Sequence, residues 1–186
     1  PLWLVGLAIC GIFNPYMQTP LPAVVHPGPP PSPDQWDFWT KKVDELFDLH
    51  FAVPSSLQQN RTVSPSFLIN WDTGDFAGRT RWIINFVFLN RVFPDYKFSL
   101  LQIRQLLERF AGNGHAVFNY DVRKAYETMK LSPLSWQDFG VWVWYRQQWE
   151  VIQLRAPMFG GNFYPVLFNA KHKAETAYLL RFQLTR

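Results

Sequence analysis

Residues 116–130, AVFNYDVRKAYETMK, constrain this chain more than any other stretch. The run AVFNY is apolar, rich in aromatic and β-branched residues and free of breakers, so it reads as a buried strand. It closes on Asp121, and the helix-prone RKAYETMK follows at once. A carboxylate at the end of a hydrophobic strand is costly unless it is paired, capped or bound to a metal. Two readings of Asp121 are open at this point: an N-cap for the next turn, or a ligand for a hard cation.

The bulk properties narrow the class. The chain has 186 residues, 48% of them hydrophobic and 18% aromatic, with nine Trp and seventeen Phe. That is enough for one compact domain with large buried rings, or rings left exposed for bases or a partner. A net charge of +4 permits a polyanionic partner without demanding one. The single Cys10 excludes an internal disulfide framework, and the scattered His26, His50, His115 and His172 argue against a histidine metal site.

The first thirteen residues are apolar but shorter than the ~20 needed to span a bilayer. Residues 14–33 are proline-rich, with HPGPPPSP at their end, and favour an extended linker. A helix is expected after Pro33, capped by Asp34, with Trp36, Trp39, Val43, Leu46 and Phe47 in one apolar stripe. Residues 51–78 carry turn formers and the tip WDTGDFAGR. Asn60-Arg61-Thr62 fits a glycosylation sequon, with no other sign of secretion. The spacing then predicts a strand over 80–88, a helix over 99–111 and a hairpin over 138–154. In that hairpin Val141, Val143 and Tyr145 oppose Trp149, Val151 and Gln153 across Arg146-Gln147-Gln148. A last helix is expected over 163–184.

Two further blocks flank Asp121 in fixed order. Upstream, Arg81 is followed by a strand and then Leu89-Asn90; downstream, FGGNFYPVLF spans Phe159 to Phe168. Together with Asp121-Val-Arg-Lys-Ala-Tyr126, this order resembles the fingers and palm of a reverse transcriptase, nearest to gypsy-like LTR and DIRS-like retroelements. The resemblance covers roughly residues 79–175. It implies an α+β fold, a partial right-hand polymerase with an antiparallel sheet packed with helices, ending before motif C. The implied organisation is an apolar start and Pro-rich linker over 1–33, an N-terminal helix and fingers loop over 34–78, and incomplete fingers and palm over 79–186.

The same resemblance implies the site. Asp121 becomes the catalytic motif A carboxylate, bridging two Mg²⁺ (or Mn²⁺) ions, with the Val122 carbonyl as a further ligand. Arg81 would close on the triphosphate of the incoming dNTP, because guanidinium binds phosphate bidentately and keeps its charge; Arg79 beside it is the alternative. The backbone N–H groups of Lys124 and Ala125 would face the triphosphate. Tyr126 would pack under the sugar and exclude a 2′-hydroxyl, the rival being a plain core tyrosine. Phe159 and Gly160 would lie beside the nucleotide, the glycine permitting close backbone approach. The implied partners are an RNA/DNA primer–template, dNTPs and the rest of the polymerase (motif C, thumb, RNase H), with an intracellular, cytoplasmic or nuclear setting and no membrane.

Departures stand beside the matches. Asn85 and Val87 replace an expected Asp and Arg, and MFG-G stands where PFG-L is usual. No Asp-Asp pair occurs, so the chain is expected to be a fragment that does not polymerise by itself. The rival function is a decayed or co-opted reverse-transcriptase-like module that binds nucleic acid or protein without catalysis.

Overall fold

The computed structural model describes residues 23–71, 78–91, 104, 108, 122–162 and 164–183. In chain order the elements are β1 (Ala23–Val24), α1 (Trp36–Asp48), β2 (Ala52–Ser55), β3 (Thr62–Ser64), β4 (Ser66–Trp71) and β5 (Arg79–Ile84). They continue with the single-turn α2 (Val87–Asn90), β6 (Gly140–Tyr145), β7 (Gln148–Leu154) and α3 (Tyr164–Gln183). The fold is α+β. A five-stranded sheet runs in the order β1-β3-β6-β7-β2, and β4 and β5 form a separate two-stranded ribbon.

The apolar stripe of α1 decides how that helix packs. Trp39, Val43 and Leu46 are buried, and Trp36 and Phe47 pack against the same core from its margin. Trp39 meets Trp82 and Trp149 edge-on at 6.4 and 6.0 Å, and Trp36 lies 6.2 Å from Trp144. Such edge contacts exploit the ring quadrupole beyond simple area burial. The helix ends in a Schellman arrangement: Phe51 N–H donates to the Leu46 carbonyl and His50 N–H to that of Phe47. His50 takes the left-handed position there, at φ 56°. Asp34 does not cap the helix as expected. It lies inside a 3₁₀ turn over Pro33–Gln35, and no side chain caps either segment.

The hairpin of β6 and β7 forms the centre of the sheet, with a register that differs from the sequence reading. Tyr145 faces Gln148, Trp144 faces Trp149, Val143 faces Glu150 and Val141 faces Ile152. The loop is therefore the two residues Arg146 and Gln147, at φ 52° and 63°. Two successive positive φ values make the type I′ geometry, whose twist matches paired strands. Arg-Gln carries none of the usual Asn-Gly signal, so a three-residue turn was the natural reading. None of the three hairpin tryptophans is freely exposed: Trp144 is buried and packs against Trp149 at 5.5 Å, and Trp142 and Trp149 are half-buried.

Other expectations are corrected in detail. The pairings of β2 with β7, β6 with β7 and β4 with β5 are antiparallel, but β1–β3 and β3–β6 are parallel. Parallel neighbours need long crossover connections, which hairpin patterns do not reveal. Residues 51–78 hold β2, β3 and β4, not a loop alone. The strand expected over 80–88 stops at Ile84. Asn85 Oδ1 accepts the Val87 N–H at 3.1 Å, an Asx turn that starts α2. The prolines do not form spacer throughout, since Ala23–Val24 add an edge strand against β3. Of the helix expected over 99–111, Arg104 and Glu108 are described; both are helical and form an ion pair of 2.9 Å.

Asn60 is structural. It is buried, its amide donates to Ser55 Oγ and the Ser56 carbonyl, and its oxygen accepts from Gln153. Beside it Arg61 grips the buried Asp138 carboxylate bidentately at 2.7 and 2.6 Å. Burial still pushes the Asp138 carboxyl up, against the pull of Arg61. α3 opens with Pro165 in its first turn, where the missing N–H is harmless.

Candidate functional site

A cleft of about 650 Å³ opens between α1, β5 and the segment before α3. Its walls carry Phe38, Lys41, Lys42 and Glu45 from α1, Arg81 and Trp82 from β5, Glu127, and the Met158–Gly160 turn. That volume lies in the range of small-molecule sites, roughly 300–1,000 Å³.

The β period and the ribbon place Arg81 here. It stands opposite Ile69 of β4, is exposed, and makes no ion pair among the described residues. Arg79, the alternative, stands opposite Trp71 farther along the ribbon and does not line the cleft. Phe159 is 66% exposed, so much of its ring faces the opening while Met158 beside it is buried. Gly160 adopts φ +112°, and a Cβ there would meet the Ile84 carbonyl at 3.1 Å and the Phe86 ring at 3.3 Å. The close approach and the backbone conformation both require glycine.

Tyr126 joins this group from a distant segment. Its ring meets Phe159 at 4.8 Å and Phe168 at 5.9 Å, both edge-on, and lies tilted 6.3 Å from Tyr164. It is half-buried, and burial pushes its phenol up. Residues 123–128 are turns, not the helix the sequence suggests. Lys124, at φ 53°, breaks the helical path. Its side chain bonds Glu45 and lies 5.6 Å over the Phe51 ring. Glu45 takes Lys42 on its other oxygen at 2.9 Å, so the lysines hold its carboxyl below the usual value, Lys124 foremost. Ala125 accepts the Thr128 hydroxyl at 2.7 Å through its carbonyl.

The structure thus brings Arg81, Tyr126, Phe159 and Gly160 together, with Lys124 anchored to the α1 wall. Val122 is half-buried. Asp121 lies outside the described residues, as does its distance to the Phe159-Gly160 turn. Among the described residues no group of three or more His, Cys, Asp or Glu is placed to hold a metal ion.

Several residues at the cleft were not anticipated. Glu127 has one carboxylate oxygen buried with no hydrogen-bond partner among the described residues, and its place beside Tyr126 is the sequence signal for it. Lys41, Lys42 and Glu45 sit on the polar side of α1, where sequence periodicity reads only solvent. Asn90 was noted without a role. Its amide donates to the Gly160 carbonyl at 2.8 Å and its oxygen accepts the Asn162 N–H at 3.0 Å.

No protein-family model matches this chain, and no curated protein matches it. A solved structure does: the prototype foamy virus protease–reverse transcriptase in its native form, with a TM-score of 0.58 at 14% identity. The match covers 82% of this chain and 19% of that one. The fold is like part of a reverse transcriptase. This chain spans less than a fifth of the foamy virus protein's length, so the likeness is one of fold. Among the described residues, no helix is long and apolar enough to cross a membrane.

Proposed function

We propose that this chain is the fingers-and-palm portion of an RNA-directed DNA polymerase, and that the cleft receives the incoming dNTP opposite a primer–template. One observation carries the reading. In a fold like part of a reverse transcriptase, Arg81 and the Phe159-Gly160 turn line one cleft, and Tyr126 packs against Phe159 at its rim.

Each side chain has a stated task. Arg81, exposed and without an ion pair among the described residues, binds the triphosphate with charge-assisted hydrogen bonds. The open face of Phe159 supports the base or sugar, and Gly160 leaves room for close approach. Tyr126, braced by three rings, keeps a rigid body under the sugar and so selects against a 2′-hydroxyl. Mg²⁺ or Mn²⁺, assigned to Asp121 and the Val122 carbonyl through the resemblance alone, would supply charge neutralisation at the phosphates.

The test is equilibrium nucleotide binding to the full chain, read through the fluorescence of Trp82 in the cleft. dATP should bind more tightly than ATP. Arg81→Gln should weaken both by roughly tenfold or more, since hydrogen bonds to a charged group contribute ~1.5–3 kcal/mol. Tyr126→Ala should bring ATP level with dATP. Absence of nucleotide binding, or indifference to Arg81→Gln, overturns the proposal.

A second reading draws on Asn85, whose Asx turn stands where the resemblance expects one half of an ion pair. A co-opted module would bind primer–template in a salt-sensitive way, each phosphate contact adding ~0.9 to the salt slope, without any preference between dATP and ATP.

A further inference from the structure

We propose that Glu45 of α1 is a positioning residue for sugar selection: it holds Lys124, and through Lys124 it fixes Tyr126 against Phe159. This inference rests on the nucleotide reading above and deepens it.

The argument starts from Lys124. A non-glycine residue at φ 53° is disfavoured by contact of its Cβ with the following carbonyl. Such a conformation persists where surrounding contacts over-determine it. Here the Lys124 ammonium bonds one oxygen of Glu45, while Lys42 takes the other at 2.9 Å. The Phe51 ring underlies the same ammonium at 5.6 Å. Local hydrogen bonds follow: Thr128 N–H donates to the Lys124 carbonyl at 3.2 Å and Met129 N–H to that of Tyr126 at 3.0 Å.

Tyr126 lies two residues beyond Lys124, inside this run of turns. Its ring therefore goes where the anchored backbone sends it, 4.8 Å from Phe159. Removing the Glu45 charge leaves Lys42 and Lys124 as neighbouring cations with no carboxylate between them. Their repulsion drives Lys124 off α1 and frees the backbone to leave the left-handed conformation. The Tyr126 ring then loses its fixed approach to Phe159. Arg81 belongs to β5, outside this run of turns, so the loss falls chiefly on sugar discrimination.

The experiment compares the full chain with Glu45→Gln, Lys124→Met and the exchanged pair Glu45→Lys/Lys124→Glu. One readout is the nuclear Overhauser contact between the Tyr126 and Phe159 rings; the other is the ratio of dATP to ATP affinity. Each single variant should lose the ring contact and lower the ratio of dATP to ATP affinity by about fivefold, the size of an ordinary pairwise coupling. The exchanged pair should restore both, which a generally loosened structure would not do. Retention of the ring contact and ratio in Glu45→Gln, or no rescue by the exchange, overturns the inference. If the wild-type chain binds neither nucleotide, the proposed function fails, and the ring contact alone decides whether Glu45 positions Tyr126.

Discussion

Asn90 and Gly160 are joined by a hydrogen bond of 2.8 Å from the asparagine amide to the glycine carbonyl. The bond ties the end of α2 to the turn that carries Phe159. Asn162 completes the clamp, donating its N–H to the Asn90 side chain at 3.0 Å and its amide to the Asn90 carbonyl at 3.2 Å. The cleft wall contributed by Phe159 and Gly160 is thus held from β5's side of the molecule, seventy residues away in sequence.

Asn90→Ala removes two of these three bonds and should cost about 1–2 kcal/mol, at the net worth of ordinary hydrogen bonds. Asn162→Ala removes only its amide bond to the Asn90 carbonyl and should cost less than about 1 kcal/mol. Urea denaturation of the two variants tests this. Equal losses would show that the clamp is not organised around the Asn90 side chain.

The turn should tolerate no side chain at either glycine. A Cβ on Gly161 would lie 2.5 Å from the ring of Tyr164, which is fully buried and has no room to withdraw. Gly161→Ala should therefore destabilise by roughly 1–3 kcal/mol through overpacking. Gly160→Ala should cost a similar ~1–3 kcal/mol through its φ of +112°. Gly28, with nothing within 4 Å, is the control: Gly28→Ala should leave the unfolding midpoint unchanged.

The β6–β7 turn offers a gain. Arg146 and Gln147 both adopt left-handed φ, which Asn-Gly accepts at little cost. Arg146→Asn with Gln147→Gly should raise stability by about 1–2 kcal/mol, less the stacking of Arg146 over Tyr145. Thermal unfolding reads the result directly, and a lowered midpoint would contradict the two-residue turn.

The bridge on Glu45 makes stability depend on acid. Its folded-state pKa lies below the ordinary 4.5, so it contributes fully above pH 4.5 and the contribution is lost as pH falls through the lowered value. Glu45 is partly exposed, so solvent screening limits the bridge to about 0.5–1 kcal/mol. The stability difference between wild type and Glu45→Gln should be flat from pH 7 to about pH 5 and shrink below pH 4.5. A difference that stays constant to pH 3 would remove the carboxylate from the account.

What the amino-acid order determined by itself was whatever repeats locally. The stripe of Trp39, Val43 and Leu46 specified α1 and its buried face, since helical spacing alone aligns those side chains. Alternation through Val141 to Gln153 specified a hairpin, and the run after Pro165 specified α3. The grouping of Arg81, Tyr126 and Phe159 into one site came from the family resemblance and not from periodicity. Tertiary structure decided the rest. The hairpin register turned on left-handed conformations at Arg146 and Gln147, which nothing in their chemistry announces. Lys124 leaves the helical path where its side chain meets Glu45, seventy-nine residues away, a contact that local helix preference does not register. Periodicity is a property of neighbours in sequence; an ion pair between distant segments exists only once the chain has closed to bring them together.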